Sequence, residues 1–549
     1  MVQILMGSLS EEGWLERGRM IDLRLKATWG HWMGSSRGDG IVQTLKVIVI
    51  VACIISLFFS WQYDQGLNLA DEGFLWYGAQ RVLLGEVPLR DFMAYDPGRY
   101  YGLSILMGWW GDNGIVAMRG GVEMFRAMGL LIGLQVLVGT IRVRSTRFLI
   151  LSAMTLLTWM SIHNFKAFDT TTSLALVAAL TFLVRKPVAQ RYFVTGLCVG
   201  VAAIFGRNHG VYGVVGAMVA MVWLHHGKEN IGCFGKGVMY FITGVVVGCL
   251  PMLFMVFWVP GFAKALWDSI LFMLSFGATN IPLPVPWPWL VDFASISTLQ
   301  SIHGVLVGLF FVGMILFSMF SIMWVFWQKR RGERVSPLVA AAAFLSLPYA
   351  HYAFSRADVV HLSMGIFPML IGCLAFLARR PGRARWPLML VLCVTSIGTT
   401  LPYYQGWGCL LNSKCVVVEV SGSRLKVSAH TASTIQRLRH LVVQQATGNR
   451  SFVVAPYWPG AYALFDRQSP MWEIYALFKR DRAFEEAEIK RIMAAQPAFI
   501  LLSEMAIDGQ EALRFMYTHP LTYQYIQENY VLGASYGQLR VYDPKVDGG

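Results

Sequence analysis

Long apolar stretches follow one another along most of this 549-residue chain, from Ile41 to about Tyr403. A helix needs roughly 20 apolar residues to cross the hydrocarbon core of a bilayer, and these stretches approach or reach that length. Hydrophobic residues make up 55% of the chain and charged residues only 14%, which is too apolar for a series of soluble domains. The sequence therefore predicts a polytopic α-helical membrane protein.

Three regions follow from the hydropathy pattern. We predict a cytoplasmic N-terminal segment over 1–40, a membrane domain of about eleven transmembrane helices over 41–402, and a small extracytoplasmic α/β domain over 403–549. The outer loop 62–117 contains a stretch from Gly98 to Gly111 that is too short to cross a bilayer and is predicted to lie at the outer surface. The predicted spans are 41–61, 118–141, 147–162, 170–184, 192–206, 210–226, 237–258, 302–327, 336–352, 362–378 and 386–402.

Basic residues fall in short clusters between the apolar spans. The net charge of +14 does not indicate nucleic-acid binding, because these clusters do not form one soluble basic face. With the N-terminus in the cytoplasm, every cluster lies on the cytoplasmic side, as the positive-inside rule requires. The clusters are Arg142, Arg144 and Arg147; Arg185, Lys186 and Arg191; Lys228 and Lys236; Lys329, Arg330, Arg331 and Arg334; and Arg379, Arg380, Arg383 and Arg385. An odd number of spans then places the C-terminal domain outside.

Polar residues gather on the predicted outer side. An acidic pair directly follows the first span, in the stretch that runs from Ala70 to Phe92 and includes Gly-Glu-Val-Pro and Arg-Asp-Phe. The outer residues are Asp71, Glu72, Asp91, Asp96, Asp169, Arg207, Arg356, Asp358 and His361. Outer loops of any membrane protein hold polar residues, so this gathering alone does not establish a site.

The stretch from Asp71 to Gly102 resembles the first outer loop of the C-type glycosyltransferases, a superfamily of integral-membrane enzymes that includes protein O-mannosyltransferases and lipid A aminoarabinose transferases. The resemblance rests on the acidic pair, the Gly-Glu-Val-Pro and Arg-Asp-Phe motifs and a Pro-Gly step. It implies a sugar donor carried on polyprenyl phosphate. The chain departs from the pattern at Asp96-Pro97-Gly98-Arg99, where many relatives carry Pro-Pro-Gly.

The resemblance implies that Asp71 is the base that takes the acceptor's proton. Successive helix positions point about 100° apart, so Glu72 would position the acceptor or a metal, or hold a neighbouring arginine. Arg90 and Asp91 of the same loop are assigned to substrate binding. The structural alternative is that Asp71 only caps a helix beginning at Glu72.

A second acid in the next outer loop is also implied, and Asp169 supplies it. Asp169 would position the acceptor or a metal, or would be the N-cap of the following span. Lys166 would meet phosphate or extend to the membrane interface.

Two further outer motifs supply groups for the donor phosphate. Arg207, in Arg-Asn-His-Gly, could hold the phosphate through two parallel hydrogen bonds, with His209 beside it, or could anchor the interface. Arg356, Asp358 and His361 form an Arg-x-Asp-x-x-His pattern that would clamp phosphate or would close the loop as a structural ion pair.

The remaining signals are structural. Glu123 and Arg126 lie three apart inside a span and are predicted to pair, because an isolated charge there costs roughly 2.5–3.5 kcal/mol. Cys409 and Cys415 are predicted to form a disulfide at the start of the outer domain. Trp258 to Leu299 is interrupted by prolines and is predicted to be an outer loop with an interfacial aromatic belt. The sequence identifies no cofactor. A divalent cation stays open, although no ligand spacing demands one.

The sequence and the resemblance together predict an inverting glycosyltransferase of the bacterial inner membrane. It would move a sugar from a polyprenyl-phosphate donor to an extracytoplasmic glycan, lipid or protein. Its other predicted partner is the lipid bilayer, and no nucleic-acid partner is predicted. The alternative is a transporter or flippase of a lipid-linked or anionic substrate, which should show charges at mid-membrane and an internal repeat. A catalytically inactive accessory subunit is a third reading.

Overall fold

A computed structural model describes residues 36–141, 145–162, 164–226, 231–276, 280–294, 296–411 and 415–545. Most of the predicted N-terminal segment, together with Arg142, Arg144 and Lys228, lies outside the described residues. The helices up to residue 276 are α1 (Ser36–Gln62), α2 (Asp71–Leu83), α3 (Pro97–Trp110), α4 (Ile115–Ile141), α5 (Thr146–Met160), α6 (Ala167–Arg185), α7 (Ala189–Phe205), α8 (Arg207–His225), α9 (Ile231–Gly248), α10 (Leu250–Trp258) and α11 (Phe262–Phe276). After them come α12 (Thr298–Arg330), α13 (Pro337–Ser355), α14 (Val359–Gly365), α15 (Phe367–Leu377), α16 (Gly382–Thr400) and α17 (Trp407–Leu411).

Every predicted span coincides with a helix or a pair of helices. Among the described residues, 6 helices are long and apolar enough to cross a membrane, namely α1, α4, α6, α12, α13 and α16. The pairs α9 with α10 and α14 with α15 are bent by 55° and 58°, and counting each as one broken span raises the number to 8. Helices α5 and α7 are apolar but shorter. The helical membrane fold is therefore confirmed, and about eleven crossings stays a prediction.

Small residues bring α7 and α9 into close contact. Gly196 and Gly200 of α7 face Gly244 and Gly248 of α9, and a Cβ added at Gly196 would lie 2.0 Å from the carbonyl oxygen of Phe241. Lipid chains are as apolar as the helix surfaces, so no hydrophobic effect drives membrane helices together, and close packing at small residues does so instead. The glycines of α7 and α9 form a contact of this kind.

The predicted ion pair inside the second span is confirmed. Glu123 and Arg126 of α4 are in contact, and the Arg126 Nε donates to the carbonyl oxygen of Met160 at 3.2 Å. The aromatic loop after Trp258 is only partly as predicted. Between Pro260 and Pro282 the chain has no proline, and most of this interval forms α11, which the sequence analysis did not anticipate.

The C-terminal domain, for which we keep the name outer domain after its predicted side of the membrane, is a small α/β unit, as predicted. Its strands are β1 (Cys415–Val420), β2 (Ser423–Ser428), β3 (Val453–Ala455), β4 (Ile500–Ser503), β5 (Tyr530–Tyr536) and β6 (Leu539–Pro544). Its helices are α18 (Ala429–Gln445), α19 (Gly460–Leu464), α20 (Arg482–Ala495), α21 (Phe515–Thr518) and α22 (Pro520–Asn529). Strands β1 and β2 form an antiparallel hairpin, and the four-stranded sheet has the order β3-β4-β6-β5 with only β3 and β4 parallel. Cys409 and Cys415 are joined by a disulfide, with their Cα atoms 5.4 Å apart.

One hydrophobic core is shared by the outer loop and the outer domain. It contains Trp76 and Tyr100 from α2 and α3 together with Tyr462, Val454 and Leu501 from the outer domain. Helix α2 also lies close to α19, since a Cβ added at Gly73 would lie 2.5 Å from the Cα atom of Gly460. The Gly460 N–H donates to the carbonyl oxygen of Leu69, just before α2, at 2.9 Å. The outer domain is thus packed on the loop that carries the acidic pair.

Candidate active site

A cavity of about 1960 Å³ lies between the ends of the membrane helices and the outer domain. Its wall includes residues of α2, the α2–α3 loop, α8, α11, the α13–α14 junction and the outer domain. Of the residues predicted for the site, those that line it are Asp71, Arg90, Lys166, Arg207, Arg356, Asp358 and His361. Glu72, Asp91, Asp169 and His209 lie behind the wall and do not line the cavity.

Asp71 is free of a capping role. Helix α2 begins at Asp71, and its first N–H groups are capped by Asn68, whose Oδ1 accepts from Ala70 at 2.9 Å and from Asp71 at 3.0 Å. The Asp71 carboxylate instead faces the cavity, where its Oδ1 accepts a hydrogen bond from the Tyr475 hydroxyl at 2.6 Å. The structural alternative from the sequence, in which Asp71 merely caps a helix, does not describe this geometry.

Glu72 points away from the cavity and is buried. Its two oxygens lie 2.7 Å and 2.9 Å from Nε and Nη2 of Arg119 in α4. Arg119 also donates to the carbonyl oxygens of Tyr63 and Gly66, each at 2.8 Å. Of the roles open to Glu72, holding a neighbouring arginine is the one that the contacts match. Its placement as an acceptor-positioning group is corrected, because the carboxylate does not reach the cavity.

Asp169 is buried behind the wall and holds Arg99. Both Asp169 oxygens accept from the Arg99 guanidinium, at 2.7 Å and 2.8 Å. Oδ1 also lies 2.9 Å from His209 Nε2 and accepts from the Tyr352 hydroxyl at 3.1 Å. Helix α6 has Lys166 at its N-cap position, so Asp169 is not a cap either. The prediction that Asp169 contacts the acceptor or a metal is therefore corrected.

His209 belongs to the same buried network. Its Nδ1 lies 2.7 Å from the Tyr349 hydroxyl, and its side chain is fully buried. The prediction of substrate contact is corrected, because both ring nitrogens are occupied by protein partners. Its contacts instead support Asp169, which in turn fixes Arg99 at the cavity wall.

Lys166 and Arg99 form a cationic cluster around one aromatic ring. The Lys166 Nζ lies 4.8 Å from the centroid of the Tyr95 ring, and the Arg99 Cζ lies 5.4 Å from it. Tyr95 packs on Phe74 with centroids 5.0 Å apart, one turn along α2 from Asp71. Across the described residues, Lys166 has no carboxylate in ion-pair contact. Its charge is thus available to a ligand in the cavity.

Arg207 closes a corner of the wall. Its Nε lies 2.6 Å from Asp96 Oδ1, its backbone N–H donates to Asp96 Oδ2 at 3.0 Å, and a guanidinium N–H donates to Ser269 in α11 at 2.7 Å. Asp96 is the residue at which the chain departs from the Pro-Pro-Gly pattern. The departure therefore places a carboxylate where it orients Arg207.

Arg90 and Asp91 pair with each other, with Nη2 and Oδ2 2.7 Å apart. Asp91 also accepts from the Val87 N–H at 2.8 Å, and the hydrogen bond from Arg90 lowers the pKa of Asp91. Arg90 lines the cavity, whereas Asp91 stabilises the loop from behind. The predicted substrate contact of Asp91 is therefore corrected.

Arg356 ties the membrane domain to the outer domain. Its guanidinium donates to Asp358 at 2.6 Å and to both oxygens of Asp508 at 2.7 Å and 2.8 Å. Asp358 is the N-cap of α14 and accepts from the backbone N–H of His361 at 2.8 Å, with the His361 ring at the same distance. The loop-closing ion pair considered from the sequence is present, and it extends to a residue of the outer domain.

Asp358 should make the fold sensitive to acid. Burial alone would raise the pKa of Asp358 above its ordinary 3.8, but hydrogen bonds from His361 and Arg356 outweigh burial and lower the pKa to about 2. This carboxylate therefore stabilises the fold fully above about pH 4, and its contribution is lost as the pH falls toward about 2. We expect the Tm of Asp358→Asn to fall less steeply than that of the wild type across this range. Parallel Tm curves for the two proteins would contradict the assignment.

Four residues of this arrangement carry no role in the sequence analysis, namely Arg99, Arg119, Tyr475 and Asp508. Arg99 directly follows the Pro97-Gly98 step. It is the one basic residue beside Asp96 in this motif, and this local signal could have identified it. The partners of the other three come together only through the fold. In the part of the chain that the structure describes, no group of three or more His, Cys, Asp and Glu side chains is placed to hold a metal ion.

Solved structures with a similar fold include those of ArnT and of an archaeal oligosaccharyltransferase. ArnT from Cupriavidus metallidurans, solved bound to undecaprenyl phosphate, has a TM-score of 0.54 and 12% identity over 92% of this chain and 98% of that one. The Archaeoglobus fulgidus oligosaccharyltransferase with a tethered acceptor peptide has a TM-score of 0.45 and 12% identity over 94% and 75%. The oligosaccharyltransferase AglB of that organism, with an inhibitory peptide and a dolichol-phosphate, has a TM-score of 0.44 and 10% identity over 92% and 75%.

No protein-family profile and no curated protein sequence matches the chain. The likeness to ArnT therefore carries the comparison, and at this identity it concerns the fold. The chain therefore shares its fold with ArnT over most of the length of both proteins.

Proposed function

We propose that this protein is a membrane glycosyltransferase that moves a sugar from a polyprenyl-phosphate donor to an extracytoplasmic acceptor. One observation carries the proposal. One cavity is lined both by Asp71, a carboxylate that caps no helix, and by a cationic cluster of Lys166 and Arg99. The packed rings of Phe74 and Tyr95 lie between the two. The two halves of a sugar transfer, proton removal and phosphate release, each have a group in place.

Asp71 is assigned as the general base. The acceptor oxygen attacks the anomeric carbon of the donor sugar, and its proton passes to the Asp71 carboxylate. The bond between the anomeric carbon and the phosphate oxygen breaks, and polyprenyl phosphate leaves with the electron pair. A single displacement of this kind inverts the anomeric configuration.

The cations stabilise the departing phosphate. Charge grows on the phosphate oxygens as the bond breaks, and preorganised donors at that point lower the barrier. Lys166 offers an ammonium without a carboxylate in ion-pair contact among the described residues, and Arg99 and Arg207 offer guanidinium groups held in place by Asp169 and Asp96. A divalent cation stays open as an additional group in the cavity.

The position of the cavity in the helix bundle supports an extracytoplasmic reaction. The starts of α6 and α8 and the end of α13 meet through Asp169, His209 and Tyr352. The opposite ends of α6 and α12 carry the basic residues assigned to the cytoplasm by the positive-inside rule. The described part of the bundle therefore accords with a cavity on the outer side of the bacterial inner membrane, beneath the outer domain.

A transporter is the weaker reading. The ionic groups of the cavity collect where helix ends meet the outer domain, and they do not follow a path through the bundle. The likeness to ArnT, whose structure holds undecaprenyl phosphate, favours a lipid-phosphate ligand for this chain as well. The acceptor, whether glycan, lipid or protein, is left to experiment.

Membranes containing the protein can test the function directly. They would be incubated with a panel of radiolabelled polyprenyl-phosphate sugars, and donor consumption would be compared with membranes lacking the protein. We expect one sugar of the panel to be consumed and to appear in a new envelope product. Unchanged amounts of every donor would argue against the proposal.

Lys166→Met is expected to weaken donor binding. The methionine keeps much of the aliphatic bulk beside Tyr95 but removes the ammonium that would meet the phosphate. A hydrogen bond to a charged group is worth about 1.5–3 kcal/mol, so the donor KM should rise by roughly 10- to 100-fold. Lys264→Met, which removes a largely exposed lysine of the same cavity, is the matched control. Equal KM values in the wild type and Lys166→Met would contradict phosphate binding by Lys166.

A further inference from the structure

A segment of the outer domain, residues 469–481, lines one side of the cavity, and we name it the docking strap. Three hydrogen bonds fasten it to the first outer loop. The Ser469 N–H donates to the Tyr77 hydroxyl at 3.0 Å, the Trp472 indole donates to the Leu89 carbonyl at 3.0 Å, and the Met93 N–H donates to the Trp472 carbonyl at 2.8 Å. The strap thus follows the loop that contains Asp71.

Buried charges fix the other side of the strap. Glu473 is fully buried, with its oxygens 2.7 Å from Arg480 Nε and 2.8 Å from His519 Nε2. The Arg480 guanidinium lies 3.8 Å from the Phe272 ring of α11 and 4.4 Å from the Phe484 ring. The C-terminal half of the strap is therefore held against both the outer domain and α11.

Tyr475 lies in the middle of the strap and reaches Asp71. Its ring packs on Phe74 with centroids 5.3 Å apart, and its hydroxyl lies 2.6 Å from Asp71 Oδ1. Burial, and then the nearby Asp71 carboxylate, raise the pKa of Tyr475 well above its ordinary value. The hydroxyl consequently keeps its proton and acts as the donor.

We propose that Tyr475 is a positioning residue for Asp71, delivered by the docking strap, so that the outer domain completes the reactive site. This inference rests on the proposed function, in which Asp71 is the base. The hydrogen bond to Oδ1 fixes the orientation of the carboxylate. The second oxygen, Oδ2, accepts one long hydrogen bond from the Asn68 amide, at 3.5 Å, and keeps a lone pair for the proton of the acceptor.

Tyr475→Phe tests the inference because it removes only the hydroxyl. We expect kcat for the donor that the wild type consumes to fall by about 10-fold, with the donor KM within about twofold. Tyr462→Phe is the matched control, because it removes a buried hydroxyl of the outer domain whose partners are Val454 and Ser469 and not Asp71.

A second measurement does not need a donor. A water-soluble carbodiimide with glycine ethyl ester labels accessible carboxyl groups, and mass spectrometry of the full-length protein after digestion quantifies the rate at which Asp71 is labelled. This rate should be higher in Tyr475→Phe than in the wild type and in Tyr462→Phe, because the Tyr475 hydroxyl no longer occupies Oδ1. Asp268, an exposed carboxylate of α11, serves as the internal reference.

The outcomes separate the two proposals. Faster labelling of Asp71 in Tyr475→Phe without sugar transfer by the wild type would support the contact and overturn the proposed function. A Tyr475→Phe protein with the wild-type labelling rate and the wild-type kcat would overturn the inference and leave the function standing. Resistance of Asp71 to labelling in all three proteins would contradict the cavity-facing carboxylate and so overturn the inference.

Discussion

Asp71→Asn is expected to lower kcat for sugar transfer by about 10²- to 10⁴-fold, the contribution typical of a positioned general base. Asparagine has nearly the same shape and can still accept the Tyr475 hydrogen bond, but it cannot take up the proton of the acceptor. The donor KM should change little, because the phosphate meets Lys166, Arg99 and Arg207. Initial rates over a range of donor concentrations, at equal expression, measure both quantities.

Two other carboxylates serve as controls for this variant. Asp268→Asn removes an exposed carboxylate of the same cavity and should keep its activity within about twofold, since surface ion pairs contribute little. Glu72→Gln removes the buried partner of Arg119 and should lower the Tm. Full activity of Asp71→Asn would mean that another group takes the proton.

Asp169→Asn is expected to cost about 3–5 kcal/mol of the free energy of unfolding, because it leaves the Arg99 guanidinium buried without its counter-charge. Donor turnover should fall as well, since Arg99 loses the support that fixes it at the cavity wall. Unfolding of the detergent-solubilised protein, followed by loss of helical circular dichroism, measures the first effect.

The double variant Asp169→Asn with Arg99→Gln separates charge from shape. Removing both charges leaves no uncompensated ion, so part of the lost stability should return even though activity does not. A double variant whose stability equals the sum of the two single losses would show that the pair does not act as a unit. A single Asp169→Asn variant as stable as the wild type would contradict the buried network.

Much of the fold could be predicted because apolar length is a local property. Each predicted span coincides with a helix or a pair of helices, and α3 is a helix that is too short to cross a bilayer, as predicted. The bends between α9 and α10 and between α14 and α15 could not be predicted from hydropathy. Helix α11 was missed because the whole stretch from Trp258 to Leu299 was interpreted as a loop, on the basis of prolines that follow the helix.

The site could be predicted only where its chemistry is local. The 100° offset between Asp71 and Glu72 anticipated that one carboxylate faces the cavity while the other holds an arginine. Asp169 was found as a second acid, but its partner Arg99 lies 70 residues earlier in the chain. The contact between Tyr475 and Asp71 spans 404 residues. Such pairs arise from packing of the outer domain on the loop, which no sequence period reports.

The decisive measurement is the fate of the donor lipid in vesicles reconstituted with the purified protein. The donor is the polyprenyl-phosphate sugar that the membranes consume, labelled in both the sugar and the lipid. The proposed transferase should release one polyprenyl phosphate for each sugar transferred, with inversion at the anomeric carbon, and Asp71→Asn should release almost none. Movement of the intact donor across the bilayer without release of polyprenyl phosphate would contradict the account and identify a transporter.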